Sequence, residues 1–191
     1  MSMPVTRPAA AIAVRDAVAG DVPAIREIYA CHVRYGFVSF EEVPPDEAEM
    51  ERRRQEVLLR KLPYLVIERE GQVCGFAYAS PFGPRPACRY TVEDSVYIAP
   101  GTLGQGFGRW ALAELINRCT ALDLRQMVAV IGDGGNSSAI RLHQALGFAR
   151  AGVLRAVGFK LGHWVDGVIL QRRLGVGDAA PPALREPEPV K

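Results

Sequence analysis

The 191-residue chain is short of histidine, of cysteine and of any surplus of charge, and each shortage excludes something. Its three histidines, His32, His143 and His163, stand too far apart in sequence to suggest a metal cluster. Its four cysteines, Cys31, Cys74, Cys88 and Cys119, form no C-x-x-C pair. Neither a zinc site nor a disulfide framework is readable from them, and reduced thiols in a cytosolic protein are the simpler account. No apolar run approaches the roughly 20 residues that a membrane-spanning helix needs. The N-terminal residues are apolar and contain proline, but they lack the basic region and long apolar stretch of a signal peptide. Twenty-three basic residues against 21 acidic ones leave a net charge of +2, without the basic excess of a nucleic-acid binder. A cytoplasmic protein with no metal, no membrane and no nucleic-acid partner is therefore expected.

What is present is a chain 49% hydrophobic, enough for one domain with a real core. Residues 10–17 read as a strand. Asp21 is placed to cap a helix reaching Tyr35, with Pro23 in its first turn and Ile25, Ile28 and Tyr29 as its apolar stripe. A short extended piece is read over 37–42. Pro44 and Pro45 then break the chain, and Asp46 opens a second helix to about Leu62, rich in Arg and Glu. Strands at 64–68 and 73–79 flank the turn Glu70-Gly71-Gln72, and a Pro/Gly loop leads to a longer strand at 90–98. The glycine-rich GTLGQGFGR, Gly101 to Arg109, runs into a helix whose apolar positions include Trp110, Leu112, Leu115, Ile116, Cys119 and Leu122. A strand at 126–131, a turn at 132–135, a helix capped by Asn136 or Ser137 and ended by Gly147, and strands at 148–159 and 164–172 complete the order. This order implies a mixed α+β sheet with helices packed on it, not a regular βαβ repeat. Residues 1–10 read as an extension, 11–174 as the single domain, and 175–191, rich in Pro, Ala and Glu, as a disordered tail.

Three constellations carry chemistry. Gly104, Gly106 and Gly108 let the backbone approach a ligand, and the helix start behind them offers N–H groups without helical acceptors, an arrangement suited to a pyrophosphate. A plain loop before a helix explains the same glycines. No Lys-Ser/Thr follows, so the loop is not of the Walker type, and no acidic residue follows at the distance a dinucleotide fingerprint needs. Glu93 and Asp94 lie in an otherwise apolar strand and point to opposite faces. A carboxylate there is either a general base or a solvated edge residue. His143, between Leu142 and Leu146, reads as a partly buried, satisfied histidine or as a catalytic one.

Together these pieces resemble a known family. RYTVEDSVYIAPGTLGQGFG (89–108) resembles the core of the GCN5-related N-acetyltransferases (GNAT), and VAVIGDGGNSSAIRLHQALGF (128–148) with LRAVGFKLGHWVDGVILQ (154–171) resembles the phosphinothricin and methionine sulfone acetyltransferase subfamily. The resemblance covers about residues 11–174 and implies one GNAT-type domain, a mixed sheet of about seven strands flanked by about four helices. It implies acetyl-coenzyme A as co-substrate, a small amino-acid-like amine as acceptor, and a homodimer. Leu103, Gly104, Gln105, Gly106, Phe107, Gly108 and Arg109 would wrap the pyrophosphate. Val96, Tyr97 and Ile98 would bind the pantetheine arm as if it were an added strand, and Asn136, Ser138 and His143 would lie beside it. Glu93, with His143, would be catalytic, taking a proton from the acceptor ammonium, which has no lone pair until it loses one. Phe40, Glu41, Arg85 and Tyr90 would contact the acceptor, the arginine clamping a carboxylate or phosphinate; Arg89 is a second basic candidate. Three positions depart from the pattern: Leu103 stands where relatives carry Gln or Arg, Gly104 where they carry a basic residue, and Cys88 where they carry Tyr. Weaker acetyl-coenzyme A binding than in relatives is expected from the first two. Another amine acceptor, a polyamine or a peptide N-terminus, and a non-catalytic acyl-coenzyme A sensor are the alternative readings.

Overall fold

The computed structural model describes residues 12–133 and 137–182. Along them run β1 (Ile12–Asp16), α1 (Val22–Tyr35), α2 (Glu47–Leu59), β2 (Tyr64–Arg69), β3 (Gln72–Pro81), β4 (Thr91–Ile98), α3 (Phe107–Ala121), β5 (Gln126–Asp133), α4 (Ser137–Ala145), β6 (Ala149–Lys160) and β7 (His163–Arg173). The seven strands form one sheet in the order β1-β2-β3-β4-β5-β7-β6. All neighbours are antiparallel except β4 and β5.

Each strand's alternation sends half its side chains to each face. Tyr64, Phe76, Tyr78 and Tyr97 form an aromatic layer on one face, where Tyr29 of α1 meets Phe76 and Tyr97 edge-on. α2 closes the same face with the inward stripe Met50, Arg54 and Val57, all buried. α3 covers the other face through Ala111, Leu112, Leu115 and Cys119. It lies so close to α4 that a Cβ on Gly108 would sit 3.0 Å from Leu142.

Several local expectations are corrected. Asp46 does cap α2, its Oδ1 accepting from Glu49 N–H at 2.8 Å. Asp21 does not cap α1 with its side chain. Arg15 and the Val18 N–H claim its carboxylate instead, at 2.7 and 2.8 Å, because a charged donor outcompetes a helix end. Residues 37–42 form no strand but a bent loop, which crosses β5, β7 and β6 over a glycine bed. Phe40 lies on Gly158, and Phe37 C=O sits where a Cβ on Gly132 would be, at 1.8 Å. Of the turn read at 132–135, Gly132 and Asp133 belong to β5 instead, and 134–135 lie outside the described residues. Trp110 is 56% exposed rather than part of the α3 core face. Residues 175–182 turn back on the domain: Gly177 C=O accepts from Arg125 and Leu174 is buried. The rest of the expected tail, 183–191, and the extension 1–10 lie outside the described residues.

Candidate active site

The site begins with a ladder that stops. β4 and β5 pair in parallel at Thr91↔Gln126, Val92↔Met127 and Glu93↔Val128, and then part. β4 continues beside β3 as far as Gly75↔Ile98. Ala99 N–H donates to Cys74 C=O at 2.8 Å, so the odd-numbered residues of β4 spend their backbone groups on β3. The groups of Val96 and Ile98 therefore face the fork, where β5 no longer pairs with them. One is taken: His32 Nε2 bonds Ile98 C=O at 2.8 Å. A carbonyl only accepts, so Nε2 carries the proton. Burial holds His32 below the ordinary histidine range, against the Ile98 bond and together with the Lys160 charge. Tyr97 does not share the fork edge. Its main chain pairs with Phe76 and its ring is buried against Tyr29 and His32.

At the far end of β4, the chain reaches α3 through Gly104 and Gly106, whose φ values of 76° and 87° are left-handed. A side chain at either would cost about 1–2 kcal/mol. Gly106 is the residue preceding α3, so the next N–H groups head the helix without helical acceptors. The loop side chains play varied parts. Leu103 and Arg109 are exposed, whereas Phe107 is a core residue. Gln105 receives Arg69 Nη1 at 2.8 Å, and Arg69 lies over the Phe107 ring. Arg69 is thus a basic side chain at a loop that has lost its own at Gly104, and nothing in the sequence marked it. Asn136 lies outside the described residues; Ser138 is exposed in the first turn of α4.

Glu93 stands at the last paired position of the fork, half-buried, opposite Ser80 of β3. Burial raises its pKa above the usual carboxylate value, and the neighbouring Asp94 carboxylate adds to this to the extent that its charge is unbalanced. On its face of the sheet a cavity of about 220 Å³ opens between α2 and the aromatic layer, lined by Tyr29, Arg53, Arg60, Tyr64, Tyr78 and Ser80 among others. Arg53 was missed by the sequence reading. Its signal was a charged residue at the margin of the inward stripe of a helix, three positions after Met50 and four before Val57. Glu41 holds it there, accepting from Arg53 Nη1 at 2.6 Å and from the Tyr29 hydroxyl at 2.9 Å. Glu41 therefore stands behind the wall of this cavity, while Phe40 lies over the glycines of β5, β6 and β7. The Phe40 loop is tied down by Lys160, whose buried Nζ donates to Ser39 C=O at 2.6 Å. Arg85 stands apart, exposed in the loop after Pro81, and does not line the cavity. Tyr90 is half-buried with Arg89 over its ring at 5.0 Å.

His143 is not with Glu93. It is buried on the α3–α4 face, with Nδ1 on Ala139 C=O and Nε2 on Asp94 Oδ2, both at 2.8 Å. Both ring nitrogens are engaged within the protein, and the side chain lies on the opposite face of the sheet from Glu93.

A model of the acetyltransferase (GNAT) family matches residues 25–148. The chain is 55% identical to a phosphinothricin N-acetyltransferase of Alcaligenes faecalis over 162 residues, covering 85% of this chain and 82% of that one. It is 36% identical to an L-methionine sulfoximine/L-methionine sulfone acetyltransferase of Pseudomonas aeruginosa over 169 residues, 88% of this chain and 98% of that one. The crystal structure of a GNAT superfamily phosphinothricin acetyltransferase from Sinorhizobium meliloti in complex with acetyl-coenzyme A matches with a TM-score of 0.88 at 48% identity, covering 90% of this chain and 93% of that one. With a forked sheet, a glycine-bounded helix start and relatives matched over most of their length, this chain belongs to the acetyltransferase (GNAT) family.

Proposed function

We propose that the protein transfers an acetyl group from acetyl-coenzyme A to the amine of a small amino-acid-like acceptor of the phosphinothricin, methionine sulfoximine or methionine sulfone type, with Glu93 as general base. The observation that carries this reading is the fork itself. It leaves two strand residues, Val96 and Ile98, with main-chain groups directed into a gap beside Glu93. The fork and the α3 start fit the cofactor: an arm with amide groups extends β4, and the helix head meets the phosphates. Acetyl-coenzyme A supplies the activated acetyl group. The Val96 N–H polarises the acetyl carbonyl, and Glu93 accepts the ammonium proton so that the amine can attack. The cavity wall carries Arg53 and Arg60 against the carboxylate of Glu56, which favours an acidic acceptor over a polyamine. Arg85 serves as a clamp only if its loop moves inward. The half-buried Glu93 tells against a sensor, which has no use for a base.

A homodimer and a cytoplasmic location are part of the same reading. Leu154, Val157, Phe159, Leu161 and Trp164 on the β6–β7 hairpin are exposed, a surface suited to a second copy. All four cysteines are free, and no helix among the described residues is long and apolar enough to cross a membrane.

The test is thiol release from acetyl-coenzyme A with phosphinothricin, methionine sulfone, methionine sulfoximine, ordinary amino acids, spermidine and a short peptide as acceptors. Turnover on the first three is expected; turnover on spermidine or the peptide alone replaces the acceptor. Glu93→Gln should lose about 10²–10⁴-fold in rate at neutral pH and recover in part at high pH, with acetyl-coenzyme A binding unchanged. For the wild type the rate should fall on acidification through a pKa above that of an ordinary glutamate, since the base works deprotonated. A Glu93→Gln profile identical to the wild type removes Glu93 from the role.

A further inference from the structure

The proposed reaction leaves unused a buried pair directly beneath the base. Asp94 follows Glu93 in β4 but points to the opposite face, where it meets His143 of α4. Both side chains are almost wholly buried, at 1% and 6% exposure. The hydrogen bonds fix the proton count. Ala139 C=O can only accept, so Nδ1 of His143 carries a proton. Nε2 and Asp94 Oδ2 are 2.8 Å apart, and two lone pairs do not meet at that distance without a proton between them. The pair therefore holds a second proton, on one partner or the other, and is neutral as a unit. Asp94 Oδ1 is buried without a partner, a poor setting for a lone negative charge.

The surroundings leave little else to balance it. Cys119 of α3 lies in the field of Asp94, and burial keeps its thiol protonated, pushed up to about 12. Phe148 closes the ring edge of His143 at 5.0 Å. On the other side of the sheet, Tyr78 of β3 is the titratable neighbour of Glu93, and burial keeps it neutral. Burial pulls the His143 pKa down, but the Asp94 bond and charge together with Ala139 carry it above the ordinary histidine value.

We infer that Asp94 and His143 are a positioning pair for Glu93: they keep one proton between them across the working pH range, cancel the carboxylate charge next to the base, and pin α4 to β4 where the sheet forks. The role of the pair in rate rests on Glu93 being the base; its proton content does not. Both side chains are buried, and neither lines the Arg53 cavity.

The experiment has two arms, both on the full chain. In the first, ¹⁵N NMR of labelled imidazoles follows His143 from pH 5 to 9. The expected result is an Nδ1–H that persists and a ring that does not titrate in that range; a His143 that titrates near 6.5 like a free imidazole overturns the inference. In the second, pH–rate profiles are compared for the wild type, Asp94→Asn, His143→Gln and the double variant. Asparagine can donate to a neutral His143 and keeps the unit neutral, so the acid limb should stay in place, whatever happens to the maximal rate. His143→Gln can still bond Asp94 but brings no extra proton, so the acid limb should move up by about one pH unit. The double variant should bring it back. A merely structural pair gives no such rescue, and a His143→Gln limb that coincides with the wild type overturns the positioning role. If the base reading is at fault instead, Glu93→Gln leaves the wild-type profile unchanged while the NMR result stands.

Discussion

At the scale of single residues, this protein is governed by which buried polar groups have partners. His32 and His143 are both buried histidines, yet their pKa values are shifted in opposite directions. Burial lowers both, but the Asp94 bond and charge carry His143 above the ordinary histidine value, whereas burial with the Lys160 charge keeps His32 below it in spite of the Ile98 bond. For His32 the folded pKa lies below the unfolded one, so the folded state binds fewer protons. Its contribution is present above about pH 6.5, the unfolded histidine value, and is lost as pH falls toward the folded pKa. His32→Gln should therefore cost about 1 kcal/mol at pH 8, the worth of one hydrogen bond, and progressively less at pH 5. Urea denaturation of both proteins at the two pH values checks this; a gap that widens toward pH 5 contradicts it. Glu93 was legible in the sequence as a carboxylate in an apolar strand. The partner of Asp94 was not, because 49 positions separate Asp94 from His143 and only the fold brings them together.

At the scale of elements, periodicity located nearly every helix and strand, and its failures share one cause. Asp21, the 37–42 loop and Trp110 were all read from local propensity, and all three were decided by long-range contacts. The loop is the instructive case. Its Val38, Ser39, Phe40 look extended, but the chain is bent onto the glycines of β5, β6 and β7. Gly132 pairs with Gly167 across β5 and β7, and with Gly158 they leave room for Phe40. Gly132→Ala puts a Cβ 1.8 Å from Phe37 C=O. Backbone cannot rotate away as a side chain would, so the loop must lift. The expected cost is about 3 kcal/mol, the upper end for overpacked sites, with the acceptor KM rising as Glu41 releases Arg53 in the cavity wall. Thermal denaturation and acceptor kinetics check it; an unchanged melting temperature and KM would show that the loop does not rest on this bed.

At the scale of the whole molecule, the sheet is a partition with one opening. α1, α2, the aromatic layer and the Arg53 cavity occupy one face, α3 and α4 the other, and the faces communicate where β4 and β5 separate after Glu93. The family's long motifs made this architecture legible, but not the division of labour, since Arg53 and Arg69 lie outside those motifs. If the acceptor uses the α2 face and the cofactor the α3 start, perturbations of the two should not mix. Gly104→Val forces a branched side chain into a left-handed conformation at φ 76°. At about 1–2 kcal/mol, it should raise the acetyl-coenzyme A KM roughly tenfold and leave the acceptor KM alone. Arg53→Gln removes the guanidinium that Glu41 holds in the cavity wall and should do the reverse, raising the acceptor KM by a similar factor at constant cofactor KM. Steady-state kinetics with each substrate varied in turn separates the two. If both variants raise both constants together, the substrates share one continuous pocket and the sheet is not the divider. If the constants move separately, the fork beside Glu93 is the place where acetyl donor and amine meet.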